Sequence, residues 1–358
     1  MSTSSRSSAA RGTGAAVQER RTVRLPPALP SFWRRRHLLD LDDFSAEEIG
    51  LVMETADAMK EVLGRQIARV PTLRGTTIVT LFYENSTRTR TSFELAARVL
   101  GADVVSIAAS ASSVQKGESL VDTVLTLQAV GADMLVMRHR YSGAPYLAAR
   151  HSHLKVVNAG DGWHAHPTQA LLDLYTIRSH LGDLRDRKVV IVGDITHSRV
   201  ARSNMWGLTA VGARVVVCGP PTLMPVGLGG ANGQERGDLA PTGPARVSVC
   251  LPPVEVDLNL DRAIEGADVV MALRLQLERQ QTGLIPSIRE YVRLYQVTTE
   301  RLARAKPGVL VLHPGPVNEG IEIPPEVAHG TRSLIEEQVT NGVAVRMAVL
   351  YLLAGGQT

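Results

Sequence analysis

The chain has 358 residues, 44% hydrophobic and 21% charged, which suits two domains of ordinary size with a sizeable core. Only 4% are aromatic, so that core must be aliphatic. The two cysteines, Cys218 and Cys250, form no CxxC pair and exclude a disulfide framework, as expected in a reducing cytoplasm.

Of the 39 basic and 35 acidic residues, eight arginines (Arg6, Arg11, Arg20, Arg21, Arg24, Arg34, Arg35, Arg36) and one acid, Glu19, fall within 1–36. That leaves 31 basic and 34 acidic residues elsewhere, so the net charge of +4 belongs to a tail and argues against a nucleic-acid partner. Residues 1–31, rich in Ser, Ala and Arg, are expected to be a disordered tail. The shortage of acids suits a transit peptide, but no amphipathic stripe or secretory apolar region accompanies it. No apolar run reaches the length of a membrane span.

From Arg36 onward the text becomes regular. Ser45 followed by Glu47 and Glu48 starts a helix, and Ile49, Val52, Met53, Ala56 and Met59 recur at helical spacing. Strand and helix signals then alternate: strand Thr76–Phe82, a helix around Thr91–Leu100, strand Val104–Ile107, helix Ser119–Val130, strand Met134–Met137, strand His153–Asn158 and the long helix Pro167–His180. The pattern restarts with strand Lys188–Val192, helix Val200–Leu208 and strand Ala213–Cys218. It continues with the short helix Asp261–Glu265, strand Val269–Ala272 and strand Val309–Leu312. The largely apolar Leu334–Leu353 reads as a final helix packed in a core.

This alternation predicts an α/β fold of two parallel-sheet domains with helices on both faces, linked by a long helix. The C-terminal helix is expected to pack back on the first domain. The expected division is 32–167 with 334–358, and 168–333. Residues 219–253 are rich in Gly and Pro without periodicity, and 228–247 are expected to be a mobile insertion.

Glu84-Asn85-Ser86-Thr87-Arg88-Thr89-Arg90-Thr91 follows the first strand and opens a helix. The free amides of a helix start bind anions, and three hydroxyls with two guanidiniums suit phosphate oxygens. Taken alone, the run reads better as an ordinary helix cap with solvated arginines. It is neither a Walker loop nor a dinucleotide turn.

Phe82–Glu94, read as FYENSTRTRTSFE, closely resembles the carbamoyl-phosphate signature of the aspartate and ornithine carbamoyltransferases. The resemblance implies that Ser86, Thr87, Arg88 and Thr89 bind the phosphate and carbonyl ends of carbamoyl phosphate. Two more segments extend it. Arg138 stands at a carboxyl strand end, where ligands of open α/β sheets collect. Asn158–Gln169 resembles the family's NAGDG…HPTQ, which makes His166 and Gln169 ligands of the same substrate; His164 has no counterpart role and is read as surface. Arg88, Thr89, Arg138 and His166 are the implied catalytic group, donating to the carbonyl oxygen as charge builds on it and stabilising the leaving phosphate.

In the second half, Gly193–Ser203 resembles the family's GD…HSRVARS and makes Arg199 an aspartate ligand. Ala272–Arg279 resembles R-x-Q-x-E-R, which implies that Arg274 and Gln276 also hold aspartate; guanidinium matches carboxylate bidentately. His313–Gly320 implies a substrate loop with Gly315 and Pro316 near both ligands, although many relatives carry arginine where Glu319 stands. Ser112 and Lys116 inherit a role in a neighbouring subunit's active site, Lys116 also touching aspartate, so a homotrimer is implied.

The activity implied is carbamoyl transfer from carbamoyl phosphate to L-aspartate, giving N-carbamoyl-L-aspartate and phosphate early in pyrimidine biosynthesis, in the cytoplasm. No cofactor and no metal are expected, since no Cys or His cluster has ligand spacing. Ornithine carbamoyltransferase is the nearest alternative. Against it stand Thr168, where that enzyme typically has cysteine, and Arg274-x-Gln276, which suits a second carboxylate better than an ammonium. A silent scaffold for dihydroorotase, or a chain bound to a regulatory partner, is the alternative from another class, and the retained ligands argue against scaffold alone.

Overall fold

The computed structural model describes residues 29–108, 118–228, 252–276 and 283–355. The tail through residue 28, residues 229–247 of the expected insertion, and both Ser112 and Lys116 lie outside them.

Two parallel sheets carry the fold. The first holds β1 (Thr77–Phe82), β2 (Asp103–Ala108), β3 (Met134–His139) and β4 (Lys155–Asp161), in the spatial order β2-β1-β3-β4. The second holds β5 (Lys188–Val192), β6 (Arg214–Cys218), β7 (Glu255–Val256), β8 (Val269–Ala272) and β9 (Leu310–Leu312), in the order β7-β6-β5-β8-β9. Every pairing between these strands is parallel.

The helices of the first half are α1 (Ala46–Leu63), α2 (Thr87–Val99), α3 (Leu120–Ala129) and α4 (Ala144–His151). Next come α5 (Pro167–Leu181), which crosses to the second sheet, α6 (Arg199–Ala210) and α7 (Leu260–Ile264). The last are α8 (Ile288–Tyr295), α9 (Thr299–Leu302), α10 (Pro325–Ala328) and α11 (Ile335–Ala354). α1 starts as its sequence demands. Ser45 Oγ accepts from the Glu48 amide, and the Glu48 carboxylate accepts from the Ser45 amide, so two otherwise orphaned helix donors are satisfied.

Strand periodicity explains how the sheets are buried. In β1, Ile78 and Phe82 enter one core while Val79 and Leu81 enter another. In β5, Val189 and Ile191 join that first core, and Val190 and Val192 join a third. One face of each sheet therefore meets a shared central core that includes residues of α1, α5, α6 and α11. The opposite faces are covered separately, which is why the strands read as continuous apolar runs. α11 packs against α1, α2 and α5, returning the end of the chain to the first half as expected.

In both sheets the chain starts near the middle and winds outward in two directions. β1 and β3 are neighbours in the first sheet, and β5 and β8 are neighbours in the second. Connections leaving to opposite sides open a crevice at the carboxyl ends of such strand pairs. Two crevices, one from each sheet, are thus built into the topology.

Some details differ from the sequence reading. α2 begins at Thr87, four residues earlier than expected, because Ser86 is its N-cap. α4, α8, α9 and α10 were not anticipated; most are one or two turns long and carry too few apolar repeats to register. β7 is two exposed residues at a sheet edge. His164, expected at the surface, is only partly exposed, with Nδ1 3.2 Å from Asp161 and Nε2 3.3 Å from Asp40. The Asp161 hydrogen bond raises its pKa against the pull of burial. Among the described residues no helix is long and apolar enough to cross a membrane.

Candidate active site

The first crevice is fed by β1 and β3. Beyond Phe82 the chain passes Glu84 and Asn85 and enters α2, with Thr87, Arg88 and Thr89 in the first turn. The Ser86 hydroxyl makes no capping bond, so the positive end of the helix is not closed by its own cap. Thr89 is buried. Burial, reinforced by the cationic Arg274 nearby, lowers the Arg88 pKa.

Arg138, near the end of β3, donates from Nη1 to the Ala159 carbonyl at 3.2 Å. Its Nε lies 3.3 Å from Glu84. Arg199, the first residue of α6 and only 4% exposed, donates to the same carboxylate at 2.7 Å. Glu84 therefore joins a residue fixed by the first sheet to one fixed by the second. The NAGDG turn makes room for this. Gly160 has φ +116°, and a Cβ there would lie 3.0 Å from the Arg199 guanidinium and 3.1 Å from Arg138 Nη1. Only glycine lets both cations pass so close.

His166 is the N-cap of α5 and is buried; its amide donates to Ser203 Oγ of α6 at 2.9 Å. Burial first, then Arg138, Arg199 and Arg346, push its pKa well below the ordinary histidine value. The ring is neutral near pH 7 and carries one N–H to donate. Gln169, in the first turn of α5, is oriented by donating from Nε2 to Asp173 at 2.9 Å.

The second crevice supplies Arg274 and Gln276, which follow β8, and Gly315 and Pro316, which follow β9. A buried carboxylate, Glu322, ties these loops together. It accepts from the Leu275 amide at 2.7 Å, from the Asn318 side chain at 2.7 Å and from the Asn318 amide at 2.8 Å. Gly315 has φ +60°, and a Cβ on it would run into the Arg88 guanidinium. His313 beside it is buried, its pKa driven to about 3 by burial and then by Arg88 and Arg274, and its amide donates to Gln338 at 3.0 Å. Glu319, where many relatives carry arginine, faces His329 at 3.2 Å, on a residue pair away from the cavity lining.

Both crevices open into one cavity of about 610 Å³. Its walls include Ser86, Thr87, Arg88, Thr89, Arg138, His166, Gln169, Arg199, Arg274, Gln276, Gly315 and Pro316. Every described site residue expected from the sequence thus faces the same space. Among the described residues, Arg88, Arg138, Arg199, Arg274 and Arg346 bring five guanidiniums, against one lining carboxylate, Glu84. Such a cavity selects ligands carrying several negative charges. No group of three or more His, Cys, Asp or Glu placed to hold a metal occurs among the described residues.

Sequence reasoning missed Glu84, Asp173, Gln338 and Arg346. Glu84 lay inside the phosphate signature without a role. Asp173 and Arg346 left a fainter trace, each a lone charge on a helix stretch that is otherwise apolar or uncharged.

Comparison with known proteins accords with this geometry. Residues 36–179 match the aspartate/ornithine carbamoyltransferase carbamoyl-P binding domain, and residues 185–353 match the Asp/Orn binding domain. The chain is 61% identical over 323 residues to the aspartate carbamoyltransferase catalytic subunit of Chloroflexus aggregans, covering 90% of this chain and 99% of that protein. It is 60% identical over 323 residues to the catalytic subunit of Roseiflexus castenholzii, covering 90% and 96%. Aspartate transcarbamoylase from Trypanosoma cruzi, solved with N-(phosphonacetyl)-L-aspartic acid, superposes with a TM-score of 0.76 at 28% identity, covering 91% of this chain and 98% of that one. Ornithine carbamoyltransferase from Pyrococcus furiosus gives 0.75 at 27% identity, covering 90% and 98%. With two matched domains spanning most of its length, the chain belongs to the aspartate/ornithine carbamoyltransferase family.

Proposed function

We propose that the chain transfers the carbamoyl group of carbamoyl phosphate to the amino group of L-aspartate, an early step of pyrimidine biosynthesis. The observation that carries this reading is one shared cavity, with five arginines and one carboxylate among the described residues, joined from the carboxyl ends of both sheets. Carbamoyl phosphate brings about two negative charges near neutral pH, and aspartate brings two carboxylates. Ornithine would place a side-chain ammonium among those guanidiniums. Among the described residues the one lining acid that could receive it, Glu84, is already engaged by Arg138 and Arg199. The naming of the 60–61% identical relatives supports the same choice.

In this reading Ser86, Thr87, Arg88, Thr89 and the start of α2 hold the phosphate end. Thr89, Arg138 and the neutral His166 donate to the carbonyl oxygen, and Gln169 orients the carbamoyl group. Arg199, Arg274 and Gln276 hold aspartate, with Gly315 and Pro316 closing over both substrates. The aspartate amine attacks the carbonyl carbon, a C–N bond forms, and the bond to the phosphate oxygen breaks. The departing phosphate accepts the amine proton. Preorganised donors to an oxyanion contribute about 2.7–4 kcal/mol each in the transition state. Carbamoyl phosphate binds first, and approach of the two halves, linked through Glu84, excludes water around the pair.

The chain further acts as a cytoplasmic homotrimer in which Ser112 and Lys116 reach a neighbouring site. Support comes from β2, an edge strand that exposes Val105, and from the exposed Leu95, Leu125 and Val130 on the adjoining helices and their ends. We place residues 32–167 and 334–358 in the carbamoyl-phosphate domain and 168–333 in the aspartate domain. Association with dihydroorotase or a regulatory chain would be additional to catalysis. The test is a carbamoylation assay on purified protein with aspartate and ornithine offered separately. Turnover with aspartate alone is expected; turnover with ornithine alone refutes the assignment.

A further inference from the structure

Arg346 has no part in the roles assigned above. It is the one charged residue between Val339 and Ala354 of α11, in the helix that closes the central core. Its side chain is 4% exposed and lines the cavity. Among the described residues it makes no hydrogen bond and no ion pair, and its buried Nε has no partner. The guanidinium instead lies over the face of Phe93, 5.2 Å from the ring centre. Burial lowers its pKa to about 10, with Asp173 pulling the other way, so it remains a cation at neutral pH.

Asp173 is the obvious counter-ion, yet it does not hold Arg346. Its carboxylate is taken by three neutral amides, from Gln338 at 2.7 Å, Asn204 at 2.8 Å and Gln169 at 2.9 Å. A cation withdrawn from water without a bonded anion weakens a fold, and an apolar residue of similar volume would serve the core better. Such an arrangement is useful when the anion arrives from outside. The side chain lines the cavity whose other wall carries Ser86, Thr87 and Arg88.

We propose that Arg346 is a further anion-binding residue of this site, pairing from the inner wall of the cavity with the phosphate-bearing ligand. The proposal rests on the carbamoyl-phosphate reading for the identity of that ligand. Arg346 has no bonded anion among the described residues, and the acyl phosphate or product phosphate neutralises it. Affinity for phosphate is thereby gained at the expense of stability in its absence.

The test compares wild type with Arg346→Met and Arg346→Gln as full chains, reading melting temperature and the dissociation constant of inorganic phosphate. The expected result is a phosphate dissociation constant raised at least about tenfold. Arg346→Met should melt no lower than wild type without phosphate, and Arg346→Lys should recover part of the affinity. A rise of less than about tenfold in a folded variant overturns the proposal, and so does failure of both neutral variants to fold, which would show that the fold itself needs the charge. Failure of the wild type to bind phosphate is a separate outcome that removes the carbamoyl-phosphate reading as well.

Discussion

Replacing Asp173 by asparagine should change how stability depends on pH, by an amount the structure allows to be worked out. The carboxylate is fully buried, and burial raises its pKa to about 7 against the pull of its three amide donors. A carboxyl group held above its unfolded value contributes stability that is complete below about pH 3.8 and is lost as pH rises through about 7. Between pH 5 and pH 8 this loss amounts to about 2–3 kcal/mol. Asparagine stays neutral throughout, so the variant escapes it. Geometry sets the cost of the change. The remaining oxygen can still accept from Gln169 and Gln338, which share Oδ1. The new amide faces Asn204, whose own oxygen has no partner among the described residues and can turn to accept from it. That rotation gives up the 3.1 Å bond from Asn204 to the Val200 carbonyl, worth about 0.5–1.5 kcal/mol. Urea unfolding of both proteins across this pH range should show the variant gaining on the wild type as pH rises, ending more stable at pH 8. Because Gln169 keeps its acceptor, saturation by carbamoyl phosphate should hardly move. Parallel stability curves would refute the reasoning.

Arg88→Ala should lower kcat by about 10²–10³ in steady-state assays while the melting temperature stays near that of wild type. Near-normal turnover would remove Arg88 from the phosphate site. Arg274→Ala should raise KM for aspartate about tenfold or more and leave KM for carbamoyl phosphate much less affected; equal rises in both would contradict its placement. Gly315→Ala puts a Cβ on a left-handed backbone and into the Arg88 guanidinium, so its loss of kcat should approach that of Arg88→Ala with an unchanged circular dichroism spectrum.

Much of the architecture was legible because strands buried on both faces leave short, β-branched apolar runs such as 189–192, set between polar turns. The long helices α1, α5 and α11 were legible through repeats sustained over several turns. Short elements were not. A helix of four residues, such as Thr299–Leu302, makes too few repeats to stand out, and it exists because its neighbours bury Leu302. The start of α2 was misplaced because Thr-Arg-Thr-Arg has little helical preference of its own. Tertiary position of the β1 end, with Ser86 as cap, begins the helix at Thr87.

For the site, the chain alone determined which residue types gather at which strand ends, since turns after parallel strands must emerge on one edge of the sheet. The resemblance to the carbamoyltransferase motifs, laid over those strand ends, was what nominated Arg88, Arg138, His166, Arg199 and Arg274. Tertiary structure alone decided that both edges open into one cavity, and that Glu84 spans Arg138 and Arg199 across 54 and 115 positions of sequence. It alone showed Asp173 gathering amides from α5, α6 and α11, and Arg346 without a bonded anion among the described residues. The reason is physical. Local sequence fixes where a backbone turns, whereas the partner of a buried charge is set by which distant helix packing carries to within about 3 Å, and no periodicity encodes that distance.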